Sequence, residues 1–113
     1  MASQLRLQKI AELIKREISQ AINKKFDIPS DVFITVGEVV VSEDLKQAKT
    51  PLSIYPTKVA SAIFRKLNRQ IYPLQQVLNR HLKIHPVPKI IFILDEALEK
   101  QAQIERIFAQ TKK

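Results

Sequence analysis

The chain has 113 residues, one domain's worth, and 45% of them are apolar, so a single core can hold it without disulfides or metals. Nineteen Lys and Arg against eleven Asp and Glu leave a net charge of +8, which points to polyanionic partners rather than to a fold. The absence of cysteine excludes a disulfide scaffold, a thiolate metal site and a Cys nucleophile. The single glycine, Gly37, excludes a Gly-rich phosphate loop, a dinucleotide fingerprint and a GXXG clamp.

Ser3 is placed to cap a helix running to about Lys25. Leu7, Ile10, Ile14, Ile18, Ala21 and Ile22 recur at spacings of three and four and form its apolar stripe, while Arg6, Lys9, Lys15, Arg16, Lys24 and Lys25 fall largely off it. Phe26 to Ser30 reads as a connector. Val32 to Ser42 is β-branched strand material, with Gly37 marking a bulge or a close backbone approach. Glu43-Asp44 is a turn. Ala48 to Tyr55 is a weaker strand that Pro51 assigns to a sheet edge.

Pro56-Thr57 opens a second helix with Ala60, Ile63, Phe64, Leu67 and Ile71 inward. Tyr72-Pro73 interrupts it, because Pro lacks an N–H and clashes with the preceding turn. A third helix follows, with Leu74, Val77, Leu78 and Leu82 inward and Gln76, Arg80 and Lys83 outward. His85-Pro86-Val87-Pro88 ends it. The apolar run in Lys89 to Leu94 reads as a strand buried on both faces. Asp95 is placed to cap a last helix with Leu98, Ile104, Ile107 and Phe108 on its apolar side, and residues from about 110 to 113 form a frayed basic tail. The expected fold class is α+β, one domain over residues 1–113, with helices on one face of a three-stranded sheet.

The charge is not evenly spread. Residues 1–25 carry net +4, residues 26–57 net −3, residues 58–89 net +7 with no acidic residue, and residues 90–113 net zero. A solvated helix face interleaves both signs, so an acid-free stretch of this length reads as a footprint for phosphates. The phosphate-contacting residues expected from it are Lys58, Arg65, Lys66, Arg69, Arg80, Lys83 and Lys89. Arg6, Lys9, Arg16, Lys24 and Lys25 on the first helix are second choices. Tyr72 and Pro73 are the expected kink.

Catalytic and metal chemistry finds little support. His81 and His85 lie four apart, which would set both on one helix face, but a third His or any Cys is lacking and residues 58–89 hold no carboxylate. No G-x-S-x-G elbow is present, and Glu43-Asp44 sits in a turn rather than a pocket. We therefore expect no enzyme activity, no metal, no cofactor and no small-molecule substrate. With five Phe, two Tyr and no Trp, affinity for nucleic acid should come mainly from phosphate contacts and shape. No apolar run approaches the ~20 residues of a bilayer span, and the opening Met1-Ala2-Ser3-Gln4 is not apolar like a secretory signal, so a cytoplasmic monomer away from membranes is expected.

Val39-Val40-Val41-Ser42-Glu43-Asp44-Leu45-Lys46-Gln47-Ala48 resembles the V-x-V-S-x-D-L-x-x-A signature of the ribosome-binding factor A family. Pro88-Lys89-Ile90-Ile91-Phe92-Ile93-Leu94-Asp95 is similar to that family's P-x-L-x-F-x-x-D strand, and the likeness spans nearly the whole chain. The resemblance implies a KH-like domain of type II topology without GXXG, binding the small ribosomal subunit and its rRNA during late maturation and rRNA processing, and supporting growth in the cold. It also implies a helix–kink–helix element with Ala-x-Gly at the kink. Here the sequence departs. Ala60-Ser61-Ala62 looks like that motif but lies too near Ala48, and ungapped spacing sets the kink at Gln70-Ile71-Tyr72, before Pro73. A general RNA-binding protein or RNA chaperone without ribosomal specificity is the alternative. A module binding acidic proteins or lipid ranks below it, because the apolar stripes are needed for the core.

Overall fold

In the computed structural model, which describes residues 3–95, helix α1 spans Gln4–Lys25. The Ser3 hydroxyl accepts from the Arg6 backbone N–H at 3.2 Å, closing the first turn as an N-cap. Leu7, Ile10, Ile14, Ile18, Ala21 and Ile22 are all buried, so the stripe of three-and-four spacing is the core face.

Strands β1 (Phe33–Val36) and β2 (Val40–Val41) are two halves of one strand line, both antiparallel to β3 (Gln47–Tyr55). Helices α2 (Thr57–Arg69) and α3 (Ile71–His81) then cross over to β4 (Lys89–Leu94), which runs parallel to β3. The sheet thus has three strand lines, with β3 in the middle and helices packed on one side. This is the α+β, KH-like arrangement.

The central position of β3 corrects the expectation that Pro51 marks an edge. Val36 pairs with Leu52 and Val40 with Lys49, so residues 37 to 39 face only Thr50 and Pro51, one extra residue on the first strand line. The Gly37 N–H donates to the Pro51 carbonyl at 2.8 Å. A strand residue's nitrogen and carbonyl lie on the same side. The N–H that proline lacks would therefore have pointed at the bulge, where the ladder is already interrupted.

Strand β4 is also not buried on both faces. Ile90 and Phe92 are buried under the helices, Ile91 is half-buried and Ile93 is 41% exposed. Its continuous apolar run conceals ordinary alternation, one face inward and one outward. The same alternation puts Gln47, Lys49 and Pro51 of β3 on the side away from Ala48, Thr50 and Leu52.

Two polar devices fix the frame. In the β2–β3 turn, the Ser42 hydroxyl donates to Asp44 Oδ1 at 2.7 Å, and the Lys46 N–H donates to the same oxygen at 3.1 Å. Ser42 Oγ in turn accepts from the Gln47 N–H at 3.0 Å. This network accommodates Leu45 in the left-handed region at φ 62°, a conformation costing a non-glycine residue about 1 kcal/mol. The second device is Gln75. Its Oε1 accepts from the Ile90 N–H at 2.9 Å and its Nε2 donates to the Pro88 carbonyl at 3.1 Å, tying α3 to β4.

The break between α2 and α3 falls at Gln70 (φ −108°, ψ 18°), the first residue of the Gln70-Ile71-Tyr72 register and two to three residues before the expected Tyr72-Pro73 kink. Tyr72 and Pro73 occupy the first turn of α3, where a missing N–H leaves no intrahelical bond unmade. Helix α3 ends at His81, so His85 lies beyond it and the two imidazoles do not share a helix face. His81 Nδ1 meets Glu17 Oε2 of α1 at 3.1 Å instead. The expected C-terminal helix after Asp95 and the expected frayed tail lie outside the described residues.

Candidate nucleic-acid interface

Helix α2 forms because Ala60, Ile63, Phe64 and Leu67 give it one apolar stripe to lay on β3; Ala60 and Leu67 are buried, and Ile63 and Phe64 half-buried. The opposite azimuth is fixed by that choice. Lys58, Arg65 and Arg69, at spacings of seven and four, return to nearly the same direction and are all exposed. They span about 16 Å along the helix at about 1.5 Å per residue. Among the described residues, the only ion pair is that of His81 with Glu17, so these three cations have no carboxylate partner.

The other expected contacts divide. Arg80, in the last turn of α3, and Lys83, just past its end, are exposed. Lys66 is half-buried, and its Nζ donates to the Asp27 carbonyl at 2.6 Å, which pins the connector after α1 to α2. Lys89 opens β4 in register with Gln47, on the sheet face turned away from the helices. Its backbone N–H donates to the Lys46 carbonyl at 2.9 Å. Arg6, Lys9, Arg16, Lys24 and Lys25 are exposed along α1, which packs against β1, β2 and α3. The structure therefore gathers Lys58, Arg65 and Arg69 on one helical face and puts Lys89 on another surface.

Two further cations, Lys46 and Lys49, are exposed beside Lys89. Segment charge hid them, because residues 26–57 sum to −3. The alternation of β3 was the signal that could have found them. In the turn they flank, the Ser42 hydroxyl and the Lys46 N–H hold the Asp44 carboxyl below its ordinary value. A groove of about 620 Å³ runs between α1 and residues 38–41 over Leu7, Ala11 and Val39, with Glu12, Lys15 and Glu38 also on its wall. Among the described residues no three His, Asp or Glu side chains gather as a metal cluster, and no helix is long and apolar enough to cross a membrane.

An α+β fold with helices on one sheet face, a broken two-helix crossover and an unpaired basic stripe on that crossover defines a KH-like domain with a cationic helical surface. The family model for ribosome-binding factor A matches residues 6–108, and the chain belongs to that family. A ribosome-binding factor A of Halothermothrix orenii is 31% identical over 108 residues, covering 95% of this chain and 88% of its own. One from a Synechococcus strain is 33% identical over 113 residues, covering 97% and 82%. Among solved structures, the Thermus thermophilus factor superposes with a TM-score of 0.69 at 20% identity, over 80% of this chain and 97% of that one. A Thermotoga maritima solution structure, described as a putative ribosome binding factor A, gives 0.70 at 21% identity, over 84% and 92%. A third neighbour, a homology model of the Thermus thermophilus factor fitted into a cryo-EM map of its 30S complex, gives 0.62 at 20% identity, over 80% and 96%.

Proposed function

We propose that this protein is a non-enzymatic maturation factor of the small ribosomal subunit, acting late in rRNA processing and assembly as a single cytoplasmic, monomeric domain. Its helical face grips rRNA phosphates. The carrying observation is the exposed, unpaired line of Lys58, Arg65 and Arg69 on α2, inside a 32-residue stretch without acids. Exposed cations at one azimuth meet a phosphate backbone without repacking anything. Arg80 in the last turn of α3 and Lys83 just past its end add exposed charge, and Arg6, Lys9, Arg16, Lys24 and Lys25 add to it from α1. Such contacts fix placement rather than read bases. Family membership supports the ribosomal target, and the neighbour fitted into a 30S complex supports the subunit.

Co-sedimentation with purified small subunits across a salt series tests this. Binding should weaken linearly on log–log axes, with a slope of about 0.7 to 0.9 per phosphate neutralised, hence about −2 to −3 for the α2 stripe alone. Salt-insensitive binding would sink the electrostatic reading. Equal affinity for bulk RNA would favour the general RNA-binding alternative.

A further inference from the structure

Tyr72 is 70% exposed, more than any other large hydrophobic side chain among the described residues. It is the second residue of α3, and the exposed Pro73 follows it. Its hydroxyl has no hydrogen-bond partner among the described residues, so neither packing nor polar bonding in the fold accounts for a tyrosine there. Arg69, the last residue of α2, precedes it by three residues, with only Gln70 and Ile71 between them. An uncovered ring therefore opens α3 within three residues of the last cation of α2. We propose that Tyr72 stacks on an unpaired nucleobase of the RNA whose phosphates Arg65 and Arg69 hold, an inference that rests on the function proposed above.

The chemistry favours this ligand over a regular duplex. A base inside a helix has both faces covered by its neighbours, whereas a bulged or terminal base offers one to an aromatic ring. Phosphates alone would be satisfied by the arginines and leave the ring in water. An arginine three residues before the ring also suits the base, because a guanidinium favours a π face it can reach. The result is a reader of local RNA shape: charge sets the strand, and the ring rewards an unstacked nucleotide next to it.

The test uses the 113-residue chain and two hairpin RNAs that share stem and loop and differ only by one bulged adenosine, with binding followed by fluorescence anisotropy. Wild type should prefer the bulged hairpin by about tenfold, the scale of one base–aromatic stack. Tyr72→Ala should lose that preference with an unchanged salt slope, and Tyr72→Phe should keep it. The Tyr72 ring resonances should move upfield with the bulged hairpin only. Equal binding of both hairpins by wild type, a preference surviving in Tyr72→Ala, or a Phe variant that behaves like Ala would overturn the inference. If both hairpins bind equally but with steep salt dependence, stacking fails and the phosphate-binding face stands. If neither hairpin binds, the stacking inference fails, and the subunit reading is decided by the co-sedimentation series above.

Discussion

The β2–β3 turn and the outer face of α2 are both rich in charged and polar side chains, yet the fold treats them oppositely. In the turn, Ser42 and Asp44 bond to each other and to the Lys46 and Gln47 N–H groups, so the polar atoms are consumed in holding a left-handed Leu45. On α2, Lys58, Arg65 and Arg69 are exposed and have no carboxylate among the described residues. The first set is needed for the chain to reach its shape. The second repels itself, with no carboxylate among the described residues to offset it. Polarity or exposure alone does not separate the two sets; the presence of an internal partner does.

The largest effect that could break this contrast is reversal of the unpartnered charges. Arg65→Glu with Arg69→Glu should weaken small-subunit binding by on the order of 100-fold, if each lost charge-assisted contact is worth about 1.5 kcal/mol. The melting temperature should hardly move, as for exposed substitutions generally. Co-sedimentation paired with thermal denaturation checks both halves. A variant that unfolds would place these arginines with the turn residues instead.

Gln75→Ala should do the converse. It strands the Ile90 N–H and costs about 1–3 kcal/mol of stability, read from the urea midpoint, with affinity of the folded fraction unchanged. Lys66→Ala sharpens the boundary, because Lys66 lies in the basic stretch but bonds to the Asp27 carbonyl. We expect about 1 kcal/mol of lost stability and an unaltered salt slope of binding. A slope reduced by about one would return Lys66 to the phosphate-contacting set.

The smallest effect is the acid limb of the stability curve. Asp44 titrates lower in the folded chain than its ordinary 3.8, because the Ser42 hydroxyl, then the Lys46 N–H, favour its charged form. A depressed folded pKa means the unfolded state binds the proton more readily. The stabilisation is therefore present above about pH 3.8 and is lost as pH falls through the lower folded value. Ser42→Ala should flatten that limb in denaturation curves collected at several acid pH values; an unchanged limb would count against the turn network.

Periodicity made α1 legible from Ser3 to Lys25, since its six apolar positions admit only one buried face. It also separated Lys58, Arg65 and Arg69 from the core side of α2. Sheet position was less legible. Pro51 argued for an edge because the bulge that accommodates it depends on Gly37, fourteen residues away and opposite only after folding. Residues 89–94 are almost wholly apolar, so composition could not disclose which side faces water. Two consequences for the site follow: the acid-free stretch sets Lys89 with the helices, whereas strand alternation turns it away from them, and the same stretch does not disclose that Lys66 bonds to a backbone carbonyl, which sequence does not advertise. Gln75 was invisible for the same reason, both of its β4 partners being main-chain atoms.

The Gln75 amide has a bearing on solubility. The Lys89 N–H is directed toward β3 and Lys46, so the next N–H, that of Ile90, faces the outer margin of the sheet, where Gln75 receives it. One side-chain amide, accepting from Ile90 and donating through Nε2 to Pro88, thus imitates a short piece of neighbouring strand. Unsatisfied margins of this kind invite other chains to add on and seed aggregates. Here a residue of the chain's own helix occupies the first such position, beside the apolar ribbon Ile90 to Leu94, where an added strand would otherwise begin to pair.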